Sequence, residues 1–363
     1  QSTNAPDFGM NAEVASGPSL SYWQLVRKRF LGNRYGMIGM IICLVIVFTA
    51  IFAPFLSPYT PATKDRAAIY TPPQWVKIID ENGLTRPHVL GFAEEMDPNT
   101  FEITFQPSPE KRVDLALFVQ GPEYSLLGLN FTTHFIGGKD GAPVHFLGTD
   151  GLGRDVFSRM LYGSRITLLM GFIVMSVACV IGTIVGVTSG YMGGRTDTVI
   201  QRMIEFVKSF PDLPLYLALV AVLPRRADPM LTFLMFAGIV VLLQWANLAR
   251  ELRGKVIAIR SVEFVRAAVA VGADDKRIIL RHIIPNMSSH IIVWATYVLP
   301  EVILLESFLS FLGVGIQQPM VSWGVMLNAV RDFQSLASAP WLLAPVGMII
   351  LSVLAFNALG DGL

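Results

Sequence analysis

Long runs of apolar residues without a charged side chain constrain this chain more than any other feature of its sequence. The first run, residues 36–56, contains 21 residues, enough to cross roughly 30 Å of hydrocarbon at about 1.5 Å per residue of α-helix. Over the whole chain, 53% of the residues are hydrophobic and only 15% are charged. These proportions are typical of a protein that spans a lipid bilayer, and they predict an all-α polytopic membrane fold.

Five further segments have the character of membrane spans. We predict them over residues 166–191, 199–223, 231–249, 291–313 and 341–359. The third is the hardest to place, because only residues 213–223 are cleanly apolar between Pro211 and Pro224. That stretch is too short to cross alone, so we extend the span back through Val199. Six transmembrane helices place both termini on the same side of the membrane.

The distribution of Lys and Arg predicts which side this is. Loops 192–210 and 250–290 are rich in basic residues and fall on the same side as the basic residues 27–29 that precede the first span. Cytoplasmic loops retain positive charge, so we expect both termini in the cytoplasm. Arg225 and Arg226, between spans three and four, are the main exceptions.

Residues 1–35 are predicted to form a cytoplasmic N-terminus. Residues 1–17 are polar and lack the apolar stretch of a signal peptide, so we expect the first span to direct insertion. Apolar and basic residues alternate between Trp23 and Arg34 in the pattern of an amphipathic helix lying in the membrane interface. An ordinary basic flank is the alternative, and it predicts the same orientation.

Residues 57–145 interrupt the membrane pattern. They contain seven Lys or Arg against eleven Asp or Glu, a net charge near −4, and many prolines. Residues 101–106 alternate between apolar and polar types, and residues 113–119 do so in part, as half-buried strands do. We predict a small β-rich insertion on the periplasmic side.

Several functional classes are excluded or disfavoured. A net charge of +1 provides no basic surface for nucleic acid. The sequence contains no phosphate-binding loop, no H-E-x-x-H and no CxxC motif, so we expect no catalytic residue, cofactor or metal in this chain. Cys43 and Cys179 lie in apolar runs and are predicted to be small core residues. His88, His134 and His145 lack close ligand spacing, which favours surface histidines over a metal site.

A polar island between apolar segments, near residues 262–286, predicts a docking element. Residues 262–271 have the pattern of a short amphipathic helix, in which Ala267 and Ala268 keep the surface slim enough to enter a groove. Gly272 is able to end this helix with a positive φ, and Asp274 is placed to cap a second, basic helix. Such an elbow would pass the motion of a partner protein to the membrane helices. A solvated basic loop that only sets topology is the alternative.

Three other groups stand out within the apolar runs. Gly182, Gly186 and Gly190 share one helix face, where small residues allow another helix to approach closely; glycines that merely loosen the helix are the alternative. Glu301 and Glu306 lie in the fifth span, where an ionised side chain must face a cavity or a partner. For Glu301, beside Pro300, pathway lining and a hydrogen-bonded position at a helix break remain equally open.

Four motifs, in order along the chain, resemble those of the C-type permease subunit of ABC importers for oligopeptides and dipeptides. They are Gly148-Thr-Asp-x-x-Gly-Arg-Asp155-x-x-Ser-Arg159, Arg266-Ala-Ala-x3-Gly272-x9-His282-x-Ile-Pro285, Glu306-x-x-Leu-Ser-Phe-Leu-Gly313-x-Gly315 and Pro319-x-x-Ser-Trp-Gly324. The resemblance covers residues 18–363. Arg266 stands where the family motif has Glu, and His282 where it has Ile. The long insertion resembles members that carry peptide antibiotics of the microcin C kind.

The resemblance implies a type I ABC importer permease in a bacterial inner membrane, with residues 146–363 as its core. Its partners would be a second homologous permease, two ATP-binding subunits that hold ATP and Mg²⁺, and a periplasmic solute-binding protein. The coupling residues that it implies are Glu263, Arg266, Ala267, Ala268, Gly272, Ala273, Asp274 and Pro285. Glu306 would lie near the gate or subunit interface, and we favour a structural interface for Arg154, Asp155 and Arg159.

The solute is a peptide by resemblance, although similar permeases carry nickel complexes or opines. A different class is an ion-coupled transporter or channel complete in one chain, with Glu301 or Glu306 as an ion site. No internal repeat supports that alternative. A membrane-anchored binding protein would not need six spans.

Overall fold

The computed structural model describes residues 22–80, 83–96, 103–126, 128–224 and 228–362. In chain order, the helices up to the middle of the chain are α1 (Tyr22–Gly32), α2 (Arg34–Ile51), α3 (Ala53–Leu56), α4 (Val156–Met192), α5 (Gly194–Lys208), α6 (Asp212–Ala221) and α7 (Pro229–Ile259). The remaining helices are α8 (Glu263–Ala270), α9 (Asp275–Ile278), α10 (Ile284–Phe311), α11 (Trp323–Leu327), α12 (Phe333–Ser338) and α13 (Ala344–Gly362). The strands, which lie between α3 and α4, are β1 (Lys77–Asp80), β2 (Gly83–Met96), β3 (Ile103–Leu126) and β4 (Leu129–Gly138).

Five helical segments of the described chain are long and apolar enough to cross a membrane. They are α2, α4, α7, the continuous helix Asp275–Phe311 and the segment Pro340–Gly362. These segments correspond to the predicted spans one, two, four, five and six, although the first ends at Ile51 and the fifth at Phe311, before the predicted ends at 56 and 313. The mainly helical membrane fold is confirmed. In Asp275–Phe311, a π-helical turn, Ile279–Ile283, joins α9 to α10.

The third predicted span is not one continuous helix. It consists of α5 and α6, separated at residues 209–211. Pro211 precedes α6 and has no N–H to extend a helix that arrives from its N-terminal side. Of the two, only α6 is apolar, and it is shorter than the five long helices. Arg225 and Arg226, the exceptions to the charge pattern, lie outside the described residues.

Helix α4 is longer than the predicted span. It begins at Val156, ten residues before the expected start, and contains 37 residues, or about 55 Å of helix. Asp155 caps its first turn by accepting a hydrogen bond from the backbone N–H of Ser158 at 2.7 Å. Because a bilayer needs only about 20 helical residues, α4 is much longer than one crossing requires.

The membrane helices share two main apolar cores. One lies between α4, α7 and α10 and includes Met170, Phe233 and Val302. The other joins α2 to α13 and includes Cys43 and Phe356. Cys43 is buried, Cys179 is half-buried, and both thiols are free.

The insertion is a β structure, as predicted. Its strands pair antiparallel in the order β1-β2-β3-β4. Residues 101–102 of one predicted strand lie outside the described residues, whereas residues 113–119 form part of β3. Rings of the insertion contact α3, at the C-terminal end of the predicted first span, since Phe55 lies 5.8 Å from Phe135 and 6.3 Å from Phe118 between ring centroids.

The three histidines of the insertion are buried, so the prediction of surface histidines is wrong. His88, His134 and His145 are 2%, 1% and 5% exposed. His134 shows the reason, because its Nδ1 lies 2.6 Å from the carbonyl of Ser57 and its Nε2 lies 2.9 Å from that of Pro122. A neutral imidazole has one N–H, which one of these carbonyls accepts in a hydrogen bond. The sequence spacing of the histidines carries no sign of this contact. The described residues contain no cluster of three metal-ligating side chains.

Candidate functional site

The polar island forms an elbow between α7 and α10. Helix α8 ends at Ala270, and Gly272 follows with φ +81°. Its backbone N–H donates to the carbonyl of Val269 at 2.9 Å, and the N–H of Ala273 donates to Ala268 at 3.1 Å. A glycine with positive φ closing such a pair of bonds is how helices commonly stop. Asp274 occupies the N-cap position of α9, although its side chain makes no capping hydrogen bond.

The inner face of the elbow is seated on the membrane bundle. Val265 is 1% exposed and Ala268 is 7% exposed. Both belong to a buried cluster that also contains Val187, Leu248, Leu252, Val256, Ile278, Ile283 and Met287. The hydroxyl of Tyr191, at the end of α4, donates to Asp275 at 3.1 Å. The elbow therefore cannot move without displacing the ends of three membrane helices.

The outer face of the elbow is exposed and partly apolar. Phe264 is 39% exposed, Val269 54% and Val271 83%. Of the other predicted coupling residues, Ala273 is half-buried. The remaining ones are exposed: Glu263, Arg266, Ala267, Gly272, Asp274 and Pro285. On the next helical segment Ile278 and Ile283 are buried whereas Lys276, Arg277 and Arg281 are exposed. An exposed apolar surface edged by charged residues has the character of a protein-binding surface.

Gly182, Gly186 and Gly190 lie along the contact between α4 and α7. Among the nearest atoms to a Cβ added at these positions are carbonyl oxygens of α7: that of Trp245 at 2.9 Å for Gly182, of Ala249 at 2.5 Å for Gly186 and of Arg253 at 2.8 Å for Gly190. Three successive glycines thus face backbone atoms of the neighbouring helix. Only glycine permits the two backbones to approach this closely.

Glu306 is buried inside the bundle, at 1% exposure. Its carboxylate accepts hydrogen bonds from the hydroxyls of Ser322 at 2.6 Å, Ser310 at 2.8 Å and Thr167 at 3.4 Å. These hydroxyls come from three places: the segment before α11, α10 itself and α4. Glu306 therefore joins parts of the chain that are distant in sequence, and it has no open path to a solute.

Glu301, in contrast, is exposed, and it faces a groove between α7 and α10. It has no hydrogen bond or ion pair among the described residues. The prediction of a hydrogen-bonded position beside Pro300 is therefore not supported. The two carboxylates that sequence alone grouped together lie in opposite environments.

The Gly148–Arg159 motif forms a buried hub at the end of α4. Asp150 accepts from Nε of Arg154 at 2.8 Å, and Nε of Arg159 lies 3.7 Å from it. Arg154 also donates to the side-chain carbonyl of Gln318 at 3.0 Å, and Arg159 donates to the carbonyl of Pro61 at 3.1 Å. The described contacts of both arginines are thus made within this chain.

Asp155 completes the hub. It caps α4 and lies 3.1 Å from Nδ1 of His145. Arg154 and Asp155 both precede α4, whereas Arg159 lies in its first turn. All three residues are less than 10% exposed, so the hub holds the insertion against the N-terminal end of α4.

Comparison with known proteins places this geometry in context. A family described as "Binding-protein-dependent transport system inner membrane component" matches residues 182–363, and one described as "N-terminal TM domain of oligopeptide transport permease C" matches residues 21–73. The oligopeptide transport system permease protein OppC of Bacillus subtilis is 30% identical over 354 residues, 97% of this chain and 91% of the relative. The chain belongs to the oligopeptide and dipeptide permease family of ABC importers.

Two further relatives agree with this assignment. The dipeptide transport system permease protein DppC of Bacillus subtilis is 33% identical over 354 residues, 97% of this chain and 87% of the relative. OppC of Haemophilus influenzae is 41% identical over 220 residues, 60% of this chain and 68% of the relative. The chain is thus a multi-pass permease subunit of binding-protein-dependent transport in the inner membrane. None of these three relatives is named as a microcin C transporter, so that finer assignment stays a prediction.

Several residues of this permease were not predicted as site residues. Asp150 lies within the quoted Gly148–Arg159 motif, four residues before Arg154, and this spacing of opposite charges was the signal that could have identified it. Ser322 lies within the quoted Pro319–Gly324 motif. Thr167 had no such signal, because a hydroxyl in an apolar segment resembles any other small residue. The role of both hydroxyls depends on Glu306, which is remote from Thr167 in sequence.

Proposed function

We propose that this permease forms, with a second homologous permease, the pathway for peptide uptake across a bacterial inner membrane. A periplasmic solute-binding protein delivers the peptide, and two ATP-binding subunits, which hold ATP and Mg²⁺, supply the energy. The family assignment and the printed names of the relatives, which are oligopeptide and dipeptide transport permeases, support this proposal. The matching family describes a component of a binding-protein-dependent transport system. This assignment disfavours the alternative of an ion-coupled carrier complete in one chain.

The observation that carries the proposal is that one face of α8 is buried and the opposite face is exposed. Its inner residues, Val265 and Ala268, pack on the bundle, whereas Ala267, Val269 and Val271 on the outside are exposed. The outer surface is the docking position for an ATP-binding subunit. A short helix with one fixed face and one free apolar face is suited to transmit the movement of such a partner.

The helix that follows the elbow provides the route for transmission. Asp275–Phe311 is continuous, so a displacement of the elbow tilts the whole of α10. Glu301 and Glu306 both lie on this helix. ATP-driven closure of the partners would therefore alter the packing around Glu306 and the groove at Glu301, as alternating access requires.

The proposed orientation places the elbow and both termini in the cytoplasm and the insertion, residues 57–145, in the periplasm. The basic residues around the elbow favour this orientation, since cytoplasmic loops retain Lys and Arg. The insertion would then cover the outer mouth of the pathway or contact the solute-binding protein. Uptake and binding-protein docking that survive its deletion would contradict that role.

A steric block on α8 tests the docking. We expect Ala267→Trp, on the exposed face, to leave the permease folded but to prevent copurification of the ATP-binding subunits from native membranes. Ala93→Trp, an equally exposed position in the insertion, is the matched control and should retain them. The readouts are the subunit composition of the purified complex and its ATPase activity.

The result that would overturn the proposal is equally specific. A wild-type permease purified without any second permease or ATPase would contradict the importer assembly. Normal ATPase recovery with Ala267→Trp would show that the partner docks elsewhere. Gly272→Pro is a second test of the elbow, independent of Ala267→Trp, because proline cannot adopt the positive φ of residue 272.

A further inference from the structure

An open groove follows one face of α10 from the elbow side into the membrane. Its volume is about 490 Å³. It is lined by Asn247, Arg250 and Glu251 on α7 and by His290, Val293, Trp294, Tyr297, Val298 and Glu301 on α10. The spacing of these positions is that of a single helix face on each side. The groove is therefore a continuous surface between two membrane helices.

The groove is long enough for a short peptide and extends into the predicted fifth span. From His290 to Glu301 the helix rises about 16 Å, the length of four or five extended residues. Glu301 lies ten residues before the end of α10 at Phe311, or about 15 Å. That distance is half of the roughly 30 Å hydrocarbon thickness. Glu301 therefore lies well inside the predicted fifth span, residues 291–313.

The charged side chains at the two ends of the groove differ in whether they have a partner. At the elbow end, Nε2 of His290 lies 2.9 Å from the carboxylate of Glu251, and Arg250 lines the same region. At the deep end Glu301 is exposed to the groove and has no hydrogen bond or ion pair among the described residues. A carboxylate at this depth is expensive unless a cation or water reaches it. The deep end consequently selects for positive charge.

We propose that Glu301 binds the N-terminal ammonium group of a peptide as it passes through the groove. This inference rests on the proposed function, because it assumes that the groove is this chain's part of the uptake pathway. The ammonium group is the one positive charge that every unmodified peptide has, whatever its side chains. Trp294 and Tyr297, beside the carboxylate, present aromatic surfaces to the peptide that tolerate varied side chains. Tyr297 is 42% exposed.

A photolabelling experiment tests the role of the ammonium group. The complete complex in nanodiscs is exposed to a radiolabelled tetrapeptide that carries a benzophenone group, or to its N-acetylated twin. Binding protein and ATP are omitted, so that the selectivity of the binding protein for peptide termini does not enter. We expect the free-amine peptide to label this chain about tenfold more than the acetylated peptide, as a charge-assisted hydrogen bond would produce.

Variants link the preference to Glu301. Glu301→Gln should reduce labelling by the free-amine peptide to the acetylated level, and Glu301→Asp, which retains the charge, should preserve most of the preference. Glu205→Gln, an exposed position on α5, is the matched control and should behave as wild type.

Three results would overturn the inference: equal labelling of wild type by both peptides, including none by either; an undiminished preference in Glu301→Gln; or loss of the second permease from the Glu301→Gln complex. The last would assign Glu301 to a subunit contact. ATP-driven uptake of the free-amine peptide by wild type, measured separately with the binding protein present, tests the proposed function itself. Uptake without amine-dependent labelling would refute only the role of Glu301.

Discussion

Ser322 donates a hydrogen bond from its hydroxyl to Oε1 of Glu306 at 2.6 Å and so ties the segment after α10 to the interior of that helix. The same hydroxyl accepts from the backbone N–H of Val325 at 3.1 Å and caps α11. On the other side of the carboxylate, Thr167 of α4 donates to Glu306 and accepts from the N–H of Trp323. One buried carboxylate thus positions the whole turn that follows the fifth span.

Removing this carboxylate should destabilise the permease. We expect Glu306→Ala to lower the free energy of unfolding by about 2–4 kcal/mol, because it leaves a cavity and deprives three hydroxyls of their acceptor. Glu301→Ala, on the same helix but exposed, should change it by less than about 0.5 kcal/mol. Unfolding in detergent measures both. Equal losses for the two variants would contradict the structural role assigned to Glu306.

The glycines of α4 allow a second prediction. A Cβ at Gly186 would lie 2.5 Å from the carbonyl oxygen of Ala249, so Gly186→Ala must push α4 and α7 apart. Overpacking of this kind costs about 1–3 kcal/mol. Gly238→Ala on α7, where no atom lies within 4 Å, should be neutral or stabilising by up to about 1 kcal/mol. Unfolding in detergent compares the pair, and a harmless Gly186→Ala would show that the two helices are not held at this distance.

Much of this architecture could be predicted from local sequence. Charge-free apolar runs located the five long spans, because lipid excludes unpaired polar side chains over that length. Alternating residues indicated two stretches whose described residues all fall on β3 of the insertion. Gly272 marked the end of α8 because a helix stop commonly uses its positive φ. Each of these signals lies within about 20 consecutive residues.

What could not be predicted depends on contacts between distant segments. His134 is buried beside the backbone carbonyls of Ser57 and Pro122, and no periodic pattern in the sequence predicts these contacts. The ten extra residues of α4 are too polar to be part of a hydropathy signal, although Asp155 caps them. For the third span, Pro211 indicated an interruption, but one span was predicted where the structure has two separate helices, α5 and α6.

A third prediction concerns the outer hub. Gly153 has φ +69°, and a Cβ there would lie 1.8 Å from the carbonyl oxygen of Asp65. Gly128 also has positive φ, +84°, but nothing lies within 4 Å of an added Cβ. Both Ala substitutions strain the backbone, and only Gly153→Ala also collides with it. We expect Gly153→Ala to be less stable than Gly128→Ala by at least about 1–3 kcal/mol in thermal unfolding. Indistinguishable variants would contradict the tight docking of residue 65 on the motif.

The contact between Asp197 and Arg253 predicts a dependence on pH. Arg253 donates from Nε at 2.5 Å and from Nη2 at 2.7 Å, which lowers the pKa of Asp197 from 3.8 to about 2. Because the folded pKa lies below the unfolded one, the stabilisation is complete above about pH 4 and is lost as the pH falls towards 2. Asp197→Asn should therefore cost about 2 kcal/mol at pH 7, with a smaller difference from wild type below pH 4.

Equilibrium unfolding in detergent at several pH values measures this difference. Glu205→Gln, which removes an exposed pair with Arg202, is the control and should change stability by less than about 1 kcal/mol at any pH. A difference between wild type and Asp197→Asn that stays constant down to pH 3 would show that the charge of Asp197 is not what stabilises the contact.

The orientation in the membrane can be decided with two single cysteines. In a background where Cys43 and Cys179 are replaced by Ala, Glu110→Cys lies in the insertion and Lys276→Cys on α9, and both positions are exposed. We expect a membrane-impermeant maleimide to label the first in intact spheroplasts and the second only after the membrane is opened, because the basic elbow belongs on the cytoplasmic side. Leu304→Cys, exposed on α10 at the surface of the bundle, should resist labelling in both conditions. The reverse pattern would place the elbow outside the cell, where no ATP-binding subunit could dock.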